Sequence, residues 1–160
     1  MVRIGTAGWS VPSQLGLPKG EGSQLERYAT LLPAVEINSS LYRPHQHKTY
    51  RRWAESTPTG FRFSVKVPRS MTHEHRLDDC GPLIEAFASE IAGLGNRLEV
   101  LLVQLPPSFA FHGGVSGAFF DSLRSAVDAY IVVEPRHPTW FTAGVHDWLV
   151  ERHIARAAAI

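Results

Sequence analysis

The amino-acid sequence predicts an α/β fold whose strands run parallel and curve into a β/α barrel, of which about six strands are present. Three observations carry this. Strand-like runs alternate with helix-like stretches along all 160 residues. They recur at intervals of roughly 25–35 residues, the length of a strand–helix unit that returns the chain to a parallel neighbour. Within the runs, apolar and polar side chains fall on opposite faces, and the polar ones gather toward the C-terminal strand ends.

The elements follow in order. "VRIGTA" (2–7) reads as the first strand and 23–32 as the first helix. "AVEIN" (34–38) is the second strand; the helix over 46–56 follows, with Pro58 marking its end and Gly60 the turn into the next strand. "FRFSVKV" (61–67) is the third strand, and the helix over 79–93 closes at Gly95. "LEVLLVQL" (98–105) is the fourth, stopped by Pro106, which holds Leu105 extended and donates no ladder hydrogen bond. A helix over 117–128, the strand "YIVVE" (130–134), a helix over 143–153 and a last strand "ARAAAI" (155–160) complete the pattern. No repeat, low-complexity stretch or linker interrupts it, so residues 1–160 are expected to form a single domain with one core.

Side-chain parity separates a barrel from an open doubly wound sheet. Successive strand residues point to opposite faces. Val35 and Ile37 share one face, while Ala34, Glu36 and Asn38 share the other. Phe61, Phe63, Val65 and Val67 likewise oppose Arg62, Ser64 and Lys66; Leu101, Val103 and Leu105 oppose Val100, Leu102 and Gln104; Ile131 and Val133 oppose Tyr130, Val132 and Glu134. A doubly wound sheet buries both faces under helices and has no place for Glu36, Lys66, Gln104 and Glu134. A barrel does, because its interior is packed below and lined with functional groups at the C-terminal mouth. Those four residues and Asn38 are therefore expected to converge there at matching heights. A Glu36–Lys66 pair that merely holds the strands together is the alternative.

Composition bounds the function. A 44% hydrophobic and 19% charged chain is that of a globular protein. A net charge of +1 demands neither nucleic acid nor an anionic membrane. No run is long and apolar enough for a signal peptide or membrane span. The single Cys80 forms no internal disulfide; it reads as an inert thiol in a cytoplasmic protein. No dinucleotide fingerprint, P-loop, nucleophile elbow or zinc spacing is present, and "HEHR" (73–76) lacks a third ligand. No metal or other cofactor is expected.

Five ordered blocks carry a family resemblance: "GTAGWS" (5–10), "EINSSLYR" (36–43), "GFRFSVKVPRSMTH" (60–73), "LLVQLPPSF" (101–109) and "VEPRHPTW" (133–140). Together they closely resemble the YecE-like family, also called domain of unknown function 72. The resemblance implies a distorted TIM-like barrel and supplies no established activity. Its recurrent positions match here at Gly8, Trp9, Glu36, Asn38, Tyr42, Lys66, His73, Gln104, Glu134, Arg136, His137 and Trp140. Three departures stand out. "VPSQLGLPKGEG" (11–22) is poor in aromatics, Pro135 replaces an aromatic, and the family's later His-Gly and Asn-rich blocks are missing. The chain is thus expected to lack the C-terminal third of a barrel that typically needs about 250 residues, and with it the usual phosphate site after strands seven and eight. It is then either a fragment or completed by another chain, and its open sheet edges invite self-association.

Two function classes fit these residues. One is a small-molecule enzyme acting at the barrel mouth on a sugar-like or phosphorylated ligand. Glu36 and Glu134 would be acid/base groups, Lys66 a stabiliser of negative charge or a base, and His73 or His137 a proton shuttle. Asn38, Tyr42, Gln104 and Arg136 would bind substrate, with Trp9 and Trp140 either stacking walls or core. The other is a binding module, with nucleic acid as its partner. In it Arg43, Lys48, Arg51 and Arg52 interleave with Tyr42, Tyr50 and Trp53. The near-neutral charge favours the enzyme.

Overall fold

In the computed structural model, residues 1–158 are described, and their strands obey the parity of their sequence. Six strands lie side by side in chain order, each parallel to the next: β1 (Gly5–Ala7), β2 (Ala34–Ile37), β3 (Arg62–Lys66), β4 (Leu98–Gln104), β5 (Tyr130–Glu134) and β6 (Ile154–Arg156). Between them run α1 (Gln24–Tyr28), α2 (His47–Glu55), α3 (Gly81–Ile91), α4 (Gly113–Ala126) and α5 (Ala143–Glu151). Among the described residues β1 pairs only with β2 and β6 only with β5, so the sheet is an open portion of a barrel. The last two residues of the expected strand 155–160 lie outside the described residues.

The core forms between the sheet and its helices. Val35, Ile37, Phe63, Val65, Leu101, Val103, Ile131 and Val133 are all buried and belong to one cluster with helix residues such as Tyr28, Phe87 and Leu123. Each such side chain contributes about 1.5–3 kcal/mol when withdrawn from water. The intervening Glu36, Ser64, Lys66, Val100, Gln104, Val132 and Glu134 are only half-buried, on the opposite face.

Local chemistry sets the boundaries. Ser23 caps α1 in a reciprocal box with Glu26, whose carboxylate accepts the Ser23 N–H while the Ser23 hydroxyl accepts the Glu26 N–H. The helix ends at Tyr28, shorter than the expected 23–32. α4 starts at Gly113 rather than 117, because the imidazole of His112 accepts the Val115 N–H and offsets two unfavourable glycines. The first strand is shorter than 2–7 and starts only at Gly5, where any Cβ would run into the carbonyl oxygen of Ala34. Gly93 does the same for α2: a Cβ there would meet the backbone of His47 and Arg51.

Candidate functional site at the C-terminal strand ends

The register of the sheet decides which inward-facing side chains meet. Glu36 stands opposite Ser64 on β3, Lys66 opposite Leu102 on β4, and Gln104 opposite Glu134 on β5. Leu102 in turn stands opposite Val132, so each of these levels lies one inward-facing step above the last. The expected matching heights are therefore corrected to a staggered climb, the stagger inherent in a barrel's strands.

Two polar units result. Lys66 Nζ lies 3.5 Å from Glu36 Oε1, their side chains only 13% and 20% exposed. One level higher, Glu134 Oε1 accepts from Gln104 Nε2 at 3.1 Å and from Arg136 at 3.0 Å. The strands bearing Lys66 and Glu134 are two spacings apart, about 10 Å, a distance that a small ligand spans. Asn38 follows β2 directly, and its Oδ1 is buried without accepting any hydrogen bond from the described residues. Glu36 also lines a hollow of about 550 Å³ on the inner face, with Ala7, Ser64, Val100 and Tyr130.

Backbone and hydroxyl contacts fix this arrangement. Gly8 adopts φ 85°, and its N–H donates to the Glu36 carbonyl at 2.8 Å, which turns the chain away after β1. Ser40 is 1% exposed, and its hydroxyl lies 2.9 Å from the Ile37 carbonyl and 2.7 Å from that of Lys66. It thereby ties the C-terminal ends of β2 and β3 together. Sequence reasoning missed this role, although a serine three residues past the strand end is its signal. Tyr28 was missed too. Its hydroxyl receives the Thr6 N–H at 2.9 Å and donates to the Ala34 carbonyl at 3.0 Å, locking β1 to β2.

Several expected ligand contacts take other places. Trp140 is 0% exposed and donates its indole N–H to the Phe109 carbonyl at 2.9 Å. It anchors the loop after β4 in the core, so the stacking alternative is corrected. Trp9 is half-buried and packs edge-on against Trp53 at 5.0 Å. His137 caps the short helical turn Pro138–Phe141, its Nδ1 accepting the Thr139 N–H at 3.3 Å. That leaves only Nε2 for proton transfer. Tyr42 is 69% exposed and lies apart from the Glu36 hollow, in a second groove beside α3. His73 sits on the π-helical turn Ser70–Glu74, bonded to Thr72 Oγ1 at 2.8 Å. Burial, and then the nearby Arg69, lowers its pKa below the ordinary imidazole value.

The nucleic-acid reading loses its stacking platform, since Tyr50 is 0% exposed and Trp53 half-buried. Arg51 is paired with Glu55 at 2.8 Å. Cys80 is buried, and its thiol is pushed up to about 11 by burial and then by Asp78 and Asp79, which disfavours the reactive thiolate. Among the described residues, no three of His, Cys, Asp and Glu converge as a metal-ligating group, and no helix is long and apolar enough to cross a membrane.

Known proteins resemble the chain in sequence and in fold. The chain is 31% identical to UPF0759 protein YecE of Escherichia coli over 161 residues, covering 95% of this chain and 54% of that protein. It is 29% identical to UPF0759 protein YunF of Bacillus subtilis over 116 residues, covering 68% of this chain and 41% of that one. The chain thus spans about half the length of the curated relatives it matches. Two solved structures of DUF72 family proteins share the fold. One, from Enterococcus faecalis, has a TM-score of 0.80 at 24% identity and covers 98% of this chain and 60% of its own. The other, from Thermotoga maritima, has a TM-score of 0.74 at 25% identity and covers 98% and 64%. The family model described as "Protein of unknown function DUF72" matches residues 3–159, and the chain belongs to that family.

Proposed function

We propose that the protein is a small-molecule enzyme that works on a hydroxyl-rich, sugar-like substrate by acid/base chemistry at the C-terminal strand ends. The observation that carries this reading is the Glu36–Lys66 pair, 3.5 Å apart and largely withdrawn from water on the face that, among the described residues, no helix covers. The carboxylate of Glu36 takes a proton from the carbon next to a substrate carbonyl, and the Lys66 ammonium holds the negative charge that develops on the carbonyl oxygen. As the charge flows back, the C–O bond on the next carbon breaks, and Glu36 gives its proton to the departing hydroxyl, which leaves as water. The acceptor Oδ1 of Asn38 supports the reading, because a substrate hydroxyl would satisfy it. Glu134, oriented by Gln104 and Arg136, is the second carboxylate within a small ligand's reach. We place this chemistry in the cytoplasm, in keeping with the free, buried Cys80.

Incubation of the 160-residue chain with a panel of sugars, sugar acids and sugar phosphates, followed by mass spectrometry, tests the proposal. Turnover of at least one compound is expected, falling by about 10²-fold or more in Glu36→Gln and Lys66→Met. Turnover that survives both substitutions, or none across the panel, overturns it.

A further inference from the structure

Tyr42 and Arg43 are left unused by the inner-face site, yet both line a separate groove of about 450 Å³ between the loops after β2 and β3 and the helix α3. Its walls are apolar: Leu41, Pro44, Pro68, Met71, Leu83 and Phe87. Met71 and Phe87 are 1% and 2% exposed, so these walls are extensions of the core rather than loose surface. The size falls within the range of small-ligand sites, about 300–1,000 Å³.

The polar groups around the groove are not equivalent. Arg69 and Glu74 face each other at 3.8 Å, both more than half exposed, and largely cancel. Arg43 has no carboxylate within ion-pair distance among the described residues. Glu90 is half-buried and makes no hydrogen bond or ion pair among those residues; its burial raises its carboxyl above the ordinary range. Close enough to Glu90 to feel its charge lies the Tyr50 hydroxyl, fully buried and without a partner. The groove therefore offers a free cation at its mouth, an exposed ring in Tyr42, an apolar wall, and an unpaired carboxyl at a more buried point.

We infer that this groove is a second ligand site, independent of the Glu36–Lys66 centre, that takes a small aromatic carboxylate bearing a hydrogen-bond donor. The ligand's carboxylate would pair with Arg43, its ring would lie against Tyr42, Met71 and Phe87, and its donor would reach Glu90. A charge-assisted contact to an unpaired guanidinium favours the anion, and sulfur and ring edges favour an aromatic body.

Titration of the full chain with 4-hydroxyphenylacetate, followed by amide chemical shifts, tests this. Saturable shifts are expected in residues 41–43, 69–74 and 83–90. Arg43→Gln should weaken binding about tenfold, the loss of one charge-assisted bond, and Tyr42→Ala should weaken it several-fold. Both positions are exposed, so neither substitution threatens folding. The neutral 4-hydroxyphenylacetamide should bind as weakly as the acid binds Arg43→Gln. No saturable shift in the three segments, equal binding of acid and amide, or shifts centred on Glu36 and Lys66 would each overturn the inference.

Discussion

At the scale of single residues, the Glu36–Lys66 pair is the costliest feature of the sheet. Withdrawing either charge from water is unfavourable unless the other compensates, so truncating one partner strands its mate. Lys66→Met should destabilise the protein more than the combined Glu36→Gln, Lys66→Met change. A double-mutant cycle in urea should return a coupling on the order of 1 kcal/mol. A vanishing coupling would mean that water, not Lys66, solvates Glu36. Ser40→Ala should cost about 1–3 kcal/mol by removing the one hydroxyl proton that the carbonyls of Ile37 and Lys66 share, measured the same way. Two histidines add a pH dependence. Burial, and secondarily Arg43 and Arg69, lowers the pKa values of His45 and His73. The unfolded chain then binds more protons than the native one, so stability should fall as pH drops through about 6.5. Glu90 has the opposite sign, since its raised carboxyl binds the proton more readily when folded. His45→Gln and His73→Gln together should flatten the decline in urea midpoint between neutrality and mild acid; an unchanged slope would assign the loss elsewhere. Of the site itself, alternation alone revealed which face Glu36, Lys66, Gln104 and Glu134 occupy, because parity is a local property. It could not reveal that Tyr42 turns toward α3 or that Trp140 is core, since those outcomes depend on how the loops after the strands fold back.

At the scale of elements, the same contrast holds. The strands β2 to β5 were legible nearly to the residue because two-residue periodicity survives in short runs such as 62–66. The start of α1, marked by the Ser23–Glu26 box, was legible too, but its early stop at Tyr28 was not, nor was the start of α4, set by a histidine ring acting where sequence preference offers two glycines. The edge strand β1 shows what holds a three-residue element in place. Its residues are exposed, and it contributes almost nothing to the core. It is retained by the Tyr28 hydroxyl and by the close approach of Gly5 to Ala34. Gly5→Ala should therefore release β1 alone. Amide exchange at Thr6 and Gly8, whose N–H groups are hydrogen-bonded, should accelerate strongly, while that of Val65, Leu101 and Val133 in the central strands changes little. Uniform acceleration across all strands would show that β1 is needed for the whole sheet.

At the scale of the whole molecule, the open sheet governs behaviour. Both β1 and β6 present unpaired backbone donors and acceptors, and beside β1 Ile4 is 70% exposed. The inner hollow of about 550 Å³ extends from β1 across to the start of β5, with Tyr130, 74% exposed, on its wall. Unprotected edges of this kind pair with other strands. We therefore expect the 160-residue chain to self-associate through β1 and β6. Sedimentation velocity should show mass rising with concentration, and Ala7→Pro, which removes an edge donor, should reduce it. Its related proteins are longer, and a complete barrel of about 250 residues closes its edges. A chain extended to that length with the matching segment of a relative should melt at a higher temperature and sediment as a single species, because the added strands pair both edges and cover the hollow. If the 160-residue chain instead stays monomeric at every concentration and unfolds as cooperatively and as late as the extended one, the open edges carry no cost, and the portion described here is a self-sufficient fold.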